Sequence, residues 1–105
     1  VIIMKLVDDL EATARAGEDV RRAQQAISAL DNPLVKEYFI VAKAALFERI
    51  GKTKHDEVDV REQIYMEMMQ LDRFQVNFHK AISKGKEAES WLQRIAVKTK
   101  HIINR

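Results

Sequence analysis

The sequence predicts an all-α fold, a long antiparallel helical hairpin with flanking N- and C-terminal helices. Apolar residues recur at steps of three and four along nearly the whole chain, which is the spacing of amphipathic helices. The 105 residues include only three Gly and one Pro, too few for the many tight turns of a β-sandwich or barrel. The length fits one small domain, residues 1–105, and a 47% hydrophobic content argues against a disordered chain.

The first helical region precedes Asp31, and its apolar spacing changes once. Before Gly17 the apolar residues keep one helical phase, and after it they resume one residue out of phase. Because Gly is unfavourable inside a helix, this restart predicts a break or kink near Ala16 and Gly17. The region is therefore one interrupted helix or two short helices. The apolar positions are Ile3, Leu6, Val7, Leu10 and Ala14 before Gly17, and Val20, Ala23, Ile27 and Leu30 after it.

The second helix is predicted over residues 33–50, after the Asp31-Asn32-Pro33 sequence. Pro suits the first helical turn, and Asp or Asn just before it can cap the helix. Gly51 should end the helix in the left-handed cap conformation. Apolar residues occupy most sides of this helix, so we expect more than one neighbour to cover it.

The third helix is predicted over residues 57–83, after a polar turn in which Asp56 caps its start. Ser83-Lys84-Gly85 predicts a stop or kink, and a basic last helix should follow over residues 87–103. The short turn makes the second and third helices antiparallel, giving a hairpin core over residues 33–83.

This hairpin carries more apolar surface than one neighbouring helix can cover. Either the terminal helices fold back over it or another copy of the chain does, and small domains are marginally buried when alone. We therefore hypothesise a homo-oligomer, with a different protein partner as a further possibility. Met and aromatic residues at helical spacing are typical of cores and interfaces. The candidate interface residues are Tyr38, Phe39, Phe47, Tyr65, Met69, Val76 and Trp91.

The sequence offers no recognisable catalytic or metal-binding motif. The absence of Cys excludes disulfides, thiolate zinc sites and cysteine nucleophiles. His55, Asp56, Glu57 and Asp59 do not match metal-ligand spacings and are better explained as a turn and a helix start. No phosphate-binding loop or nucleophile elbow is present. We predict a protein that is not an enzyme and that needs no cofactor or metal.

Basic residues are concentrated in the C-terminal quarter of the chain. Residues 79–105 hold seven basic and two acidic residues, whereas residues 1–78 hold eleven and fourteen. A basic helix face can contact nucleic-acid phosphates, so nucleic-acid binding is the alternative function. No helix-turn-helix pair precedes this helix, and no aromatic residue is interleaved for base stacking. The candidate contacts are Lys84, Lys86, Arg94, Lys98, Lys100, His101 and Arg105.

No stretch is long and apolar enough to predict a membrane span or a signal-peptide core. We expect a soluble cytoplasmic protein with no membrane partner. The chain begins with Val1 rather than Met, which leaves open whether a further segment precedes it.

The stretch from Asn32 to Leu92 carries a series of short features that together suggest a family. It resembles the oligomerisation hairpins of small terminase subunits and similar packaging or accessory proteins of tailed bacteriophages. The resemblance implies self-association, DNA packaging, and a location in the host cytoplasm or virion. Small terminase subunits usually have an N-terminal helix-turn-helix for DNA, and nothing before Asp31 reads as one. The features are Asn32-Pro33, Tyr38-Phe39, Thr53 to Glu57, Arg61-Glu62-Gln63-Ile64-Tyr65, Leu71-Asp72-Arg73-Phe74, Gly85-Lys86-Glu87-Ala88 and Trp91-Leu92.

Overall fold

The computed structural model describes the backbone of residues 2–103 and the side chains of residues 2–101. Over those residues it contains three α-helices and no strand, which confirms the all-α class. The helices are α1 (Ile2–Asp31), α2 (Pro33–Gly51) and α3 (Val58–Ile103). Contacts group the described chain into two compact units. Unit 1 contains residues 2–27 and 79–103, and unit 2 contains residues 28–78, so α3 contributes to both.

Helix α1 is continuous through Gly17, so the predicted break is wrong. Gly17 is exposed, and a Cβ built there would have no heavy atom within 4 Å. The buried side of α1 is formed by Ala16, Ala23 and Ala26, whose steps of seven and three keep one helical phase. The larger apolar residues of α1 give the apparent change of phase. The side chains that pack are the small alanines, and these keep a single phase.

Helix α2 begins as predicted. Asn32 is its N-cap, with extended backbone angles, and its side-chain Oδ1 accepts a hydrogen bond from the Leu34 N–H at 2.9 Å. Pro33 follows in the first turn, where its missing N–H costs nothing. The C-terminal end differs from the prediction. Gly51 is the last residue of the helix, and its φ is not positive. Lys52 follows as the C-cap, with right-handed helical backbone angles.

The start of α3 is held by Glu57 rather than by the predicted Asp56. The Glu57 carbonyl accepts from the Arg61 N–H at 3.2 Å, and its side-chain Oε1 accepts from the Lys54 N–H at 2.9 Å. Arg61 also donates to the His55 carbonyl at 2.9 Å. The Glu57 side chain reaches back to the turn that precedes α3 rather than to the first N–H groups of the helix.

Helix α3 extends for 46 residues without the predicted interruption at Ser83-Lys84-Gly85. At 1.5 Å per residue it is about 70 Å long. Gly85 is buried within the helix, and a Cβ built there would lie 2.1 Å from the Ala23 Cβ and 2.9 Å from the Asp19 carbonyl oxygen. Gly85 therefore allows α1 and α3 to approach closely, and its role is packing rather than chain reversal.

Candidate interaction surfaces

Unit 2 is an antiparallel pair formed by α2 and the first part of α3. Phe39 of α2 lies against Phe74 of α3, with ring centroids 5.8 Å apart, and the Arg49 guanidinium donates to Glu67 Oε2 at 2.8 Å. Residues late in α2 thus meet residues early in α3. The side chains buried between the helices are Phe39, Leu46 and Ile64, which expose 4%, 8% and 1% of their surface.

Phe39 therefore belongs to the core of unit 2 and not to the exposed interface that its spacing predicts. Apolar residues surround α2, so its sequence does not indicate which side faces α3. The neighbouring Tyr38, by contrast, is 61% exposed, and its ring meets Phe39 edge-on at 5.8 Å.

One flank of the pair forms a groove of about 660 Å³, which we call the groove face. Helix α2 lines it with apolar or small residues such as Tyr38, Ala42 and Ala45. Helix α3 contributes the polar Glu67 and Gln70 and the apolar Leu71 and Phe74 to the same groove. The groove face is therefore apolar on its α2 side and partly polar on its α3 side.

The opposite flank, which we call the second face, exposes large apolar side chains on both helices. On α2, Ile40 and Phe47 are seven residues apart. On α3, Tyr65, Met69 and Val76 are separated by four and seven residues. Each set therefore lies on one side of its helix. Ile40 was not among the candidate interface residues, although its spacing from Phe47 was a usable signal. The members are Ile40, Phe47, Tyr65, Met69 and Val76, exposed by 69%, 64%, 61%, 47% and 39%.

Unit 1 packs α1 against the last part of α3 through small residues. Ala16, Ala23 and Ala88 are buried there, beside Gly85. Trp91 is half-buried and lines a shallow groove of about 480 Å³. Trp91 thus lies in a different unit from the other candidate interface residues. Large apolar residues at the start of α1 are also exposed, namely Ile2, Ile3, Met4, Leu6 and Leu10.

The predicted basic residues occupy the part of α3 that belongs to unit 1. Lys84 forms a long salt bridge with Asp19, at 3.9 Å. Arg94 lines the same groove as Trp91 and Arg15. The remaining described residues of this set are exposed and make no salt bridge within residues 2–101, namely Lys86, Lys98, Lys100 and His101. Arg105 lies outside the described residues.

Unit 1 also contains a small charge cluster on the surface of α1. Glu18 accepts a hydrogen bond from Arg21 Nε at 2.9 Å and lies 3.4 Å from Arg22 Nε. The hydrogen bond from Arg21 lowers the pKa of Glu18, and the same contact raises the pKa of Arg21. This cluster is exposed, so it stabilises the local helix surface only modestly.

Three structural features are absent from the described residues. Among them, no three His, Asp or Glu side chains come together in a way that could hold a metal ion. No side-chain polar atom within residues 2–101 is buried without a hydrogen-bond partner. None of the three helices, over the part of the chain described, combines the length and hydrophobicity needed to cross a membrane. No protein-family model, curated protein or solved structure matches this sequence.

Proposed function

We propose that this protein is a non-enzymatic helical module that assembles with itself or with a protein partner through unit 2. The observation that supports this proposal is that both flanks of α2 expose large apolar side chains. Tyr38 lies on one flank, and Ile40 and Phe47 lie on the other, each more than 60% exposed. Single exposed apolar residues are ordinary on protein surfaces, but continuous patches mark interaction sites.

Energetics favour covering these flanks. Complete burial of one large apolar side chain contributes roughly 1.5–3 kcal/mol, and the core of unit 2 buries only Phe39, Leu46 and Ile64 among its described residues. Two helices with so small a core are marginally stable alone. A further helix pair against either flank would add burial comparable to that of the existing core.

The biological setting that we propose is a packaging or accessory role in a tailed bacteriophage, in the host cytoplasm or the virion. It rests on the resemblance of the Asn32 to Leu92 stretch to the oligomerisation hairpins of small terminase subunits. The apolar flanks of unit 2 are compatible with such a role, because those hairpins act by self-association.

Light scattering coupled to size exclusion tests the assembly directly. Over a micromolar concentration series we expect a mass of at least twice the 12.2 kDa chain mass. A mass that stays at 12.2 kDa throughout the series would contradict self-assembly.

The alternative function is nucleic-acid binding by the basic residues of α3. It is supported by the exposure of Lys98 and Lys100, which have no salt-bridge partner within residues 2–101. Contacts to phosphates would make binding weaken steeply with salt.

Fluorescence anisotropy with a DNA duplex at several salt concentrations distinguishes this alternative. The double variant K98E/K100E should reduce affinity at least tenfold, because each Lys contributes phosphate attraction. Lys54→Glu, an exposed residue of the turn before α3, is the single-charge control and should have little effect. Affinity that is independent of salt and of both changes would refute phosphate binding.

A further inference from the structure

We propose that unit 2 is a homodimerisation element in which the second faces of two copies pack together as a four-helix bundle. A two-fold axis parallel to the helices would place α2 of each copy against α3 of the other. This inference rests on the proposed function and specifies its partner, its face and its symmetry.

Composition favours the second face over the groove face. On the groove face, Glu67 and Gln70 of α3 would become buried, and Glu67 already pairs with Arg49. On the second face, α2 and α3 both present large apolar side chains, and the charged residues among them, Lys43 and Asp72, are of opposite sign and can pair. Burial of polar groups without new partners costs free energy, so the second face is the better surface to cover.

The area reaches the minimum expected of a specific dimer. The five side chains of the second face together expose roughly 500 Å² per copy, given that a large aromatic side chain presents about 150–250 Å² and the aliphatic ones less. Two copies would therefore cover about 1,000 Å², the smallest area expected of a biological interface.

The register of the hairpin makes the second face complementary to itself. The Arg49–Glu67 and Phe39–Phe74 contacts differ in register by three residues, and their mean places Phe47 within about two residues of the level of Met69, and Ile40 within about two of Val76. A two-fold axis parallel to the helices keeps these levels and exchanges the helices. Phe47 of one copy then lies near Met69 of the other, and Ile40 lies near Val76. The two-fold axis repeats both apolar contacts, so each occurs twice in the dimer.

The same register joins opposite charges across the interface. Lys43 lies between Ile40 and Phe47 at steps of three and four, and Asp72 lies between Met69 and Val76 with the same steps. Both charges therefore share the side of their helix that carries the second face. Neither forms a salt bridge within the described residues. In the dimer, Lys43 of each copy lies level with Asp72 of the other, to within two residues by either contact.

Charge reversal followed by mixing tests this arrangement. Lys43→Glu alone would place two carboxylates together at both contacts, and Asp72→Lys alone would place two ammonium groups together. Each single variant should dimerise at least tenfold more weakly than the native protein. An equimolar mixture of the two should form heterodimers at twice the 12.2 kDa chain mass, because both contacts are then complementary. Native mass spectrometry identifies the heterodimer by its mass.

Single variants that dimerise like the native protein would overturn the inference, and so would a mixture that gains nothing over its components. A single variant that is measured by itself can lose helicity. The mixture still tests the pairing in that case, because only complementary pairing is expected to restore both the helicity and the dimer mass. A native protein that is monomeric contradicts the proposed self-assembly itself. A native oligomer that is indifferent to both reversals contradicts only this dimer.

A matched pair of aromatic variants tests the choice of face. Phe47 on the second face and Tyr38 on the groove face are 64% and 61% exposed. Phe47→Glu should reduce the mass to that of one chain at micromolar concentration, while Tyr38→Glu should leave the dimer intact. The reverse result would place the interface on the groove face and refute the proposal.

Discussion

Replacing Gly85 with Ala should destabilise this protein even though Ala is the better helix former. The added Cβ would lie 2.1 Å from the Ala23 Cβ and 2.9 Å from the Asp19 carbonyl oxygen. Non-bonded carbon atoms prefer separations of about 3.5–4.0 Å, so α1 and α3 must move apart locally. Neither obstacle is the end of a flexible side chain, and rotamer changes cannot relieve the overlap.

The magnitude follows from two opposing effects. Overpacking of a close contact costs about 1–3 kcal/mol, and the rigid neighbours of Gly85 place this case at the upper end. The higher helix propensity of Ala recovers about 1 kcal/mol. We therefore expect a net loss of about 2 kcal/mol in the free energy of unfolding. Gly17→Ala is the control, since no heavy atom lies within 4 Å of the added Cβ, and it should gain up to about 1 kcal/mol.

Urea unfolding followed by far-UV circular dichroism measures both variants, at one fixed protein concentration because assembly makes stability concentration-dependent. The double variant A23G/G85A should be more stable than Gly85→Ala alone, although it introduces another helical Gly, since it removes the clashing methyl group. Gly85→Ala with stability equal to or above that of the native protein would refute the close packing of α1 and α3.

Three further predictions concern other parts of the chain. Phe39→Ala should lower the free energy of unfolding by about 3–5 kcal/mol in urea titrations, because Phe39 is buried; a loss below about 1 kcal/mol would contradict its core position. Asn32→Ala should cost about 1 kcal/mol in the same assay through loss of the cap on α2, and an unchanged midpoint would show that the cap is dispensable. NMR titration should place the pKa of Glu18 below that of an ordinary Glu, and Arg21→Ala should raise it. Because the folded-state pKa is lowered, the contact stabilises above the unfolded pKa and is lost as pH falls through the folded one; an unshifted titration in the native protein would exclude it.

Local chemistry made several elements predictable from the sequence. Asn32 and Pro33 carry out the cap and first-turn roles expected of them, because those roles depend on short-range backbone geometry. The all-α class was also accessible, since the three- and four-residue spacing reflects the helix itself. Errors occurred where a local signal had two meanings. Gly85 can end a helix or admit a close neighbour, and only the position of Ala23 shows that it does the second.

The candidate interaction surfaces were only partly predictable for a related reason. Tyr65, Met69 and Val76 share a periodic stripe that the sequence displays, and the structure leaves all three exposed to a substantial degree. Phe39 and Phe47 are indistinguishable by spacing alone, because α2 is apolar around most of its circumference. One is 4% exposed and the other 64%, and the difference is set by the side of α2 on which α3 packs.

The sequence by itself determined the helical class, the start of α2, the turn before α3 and the basic composition of its end, since each depends on residues within a few positions of one another. Tertiary structure alone decided that α1 and α3 are uninterrupted, that alanines and Gly85 form the contact in unit 1, and which aromatic side chains of unit 2 stay outside. These properties depend on the distance between helices that are far apart in the chain, and hydrophobic periodicity carries no information about that distance.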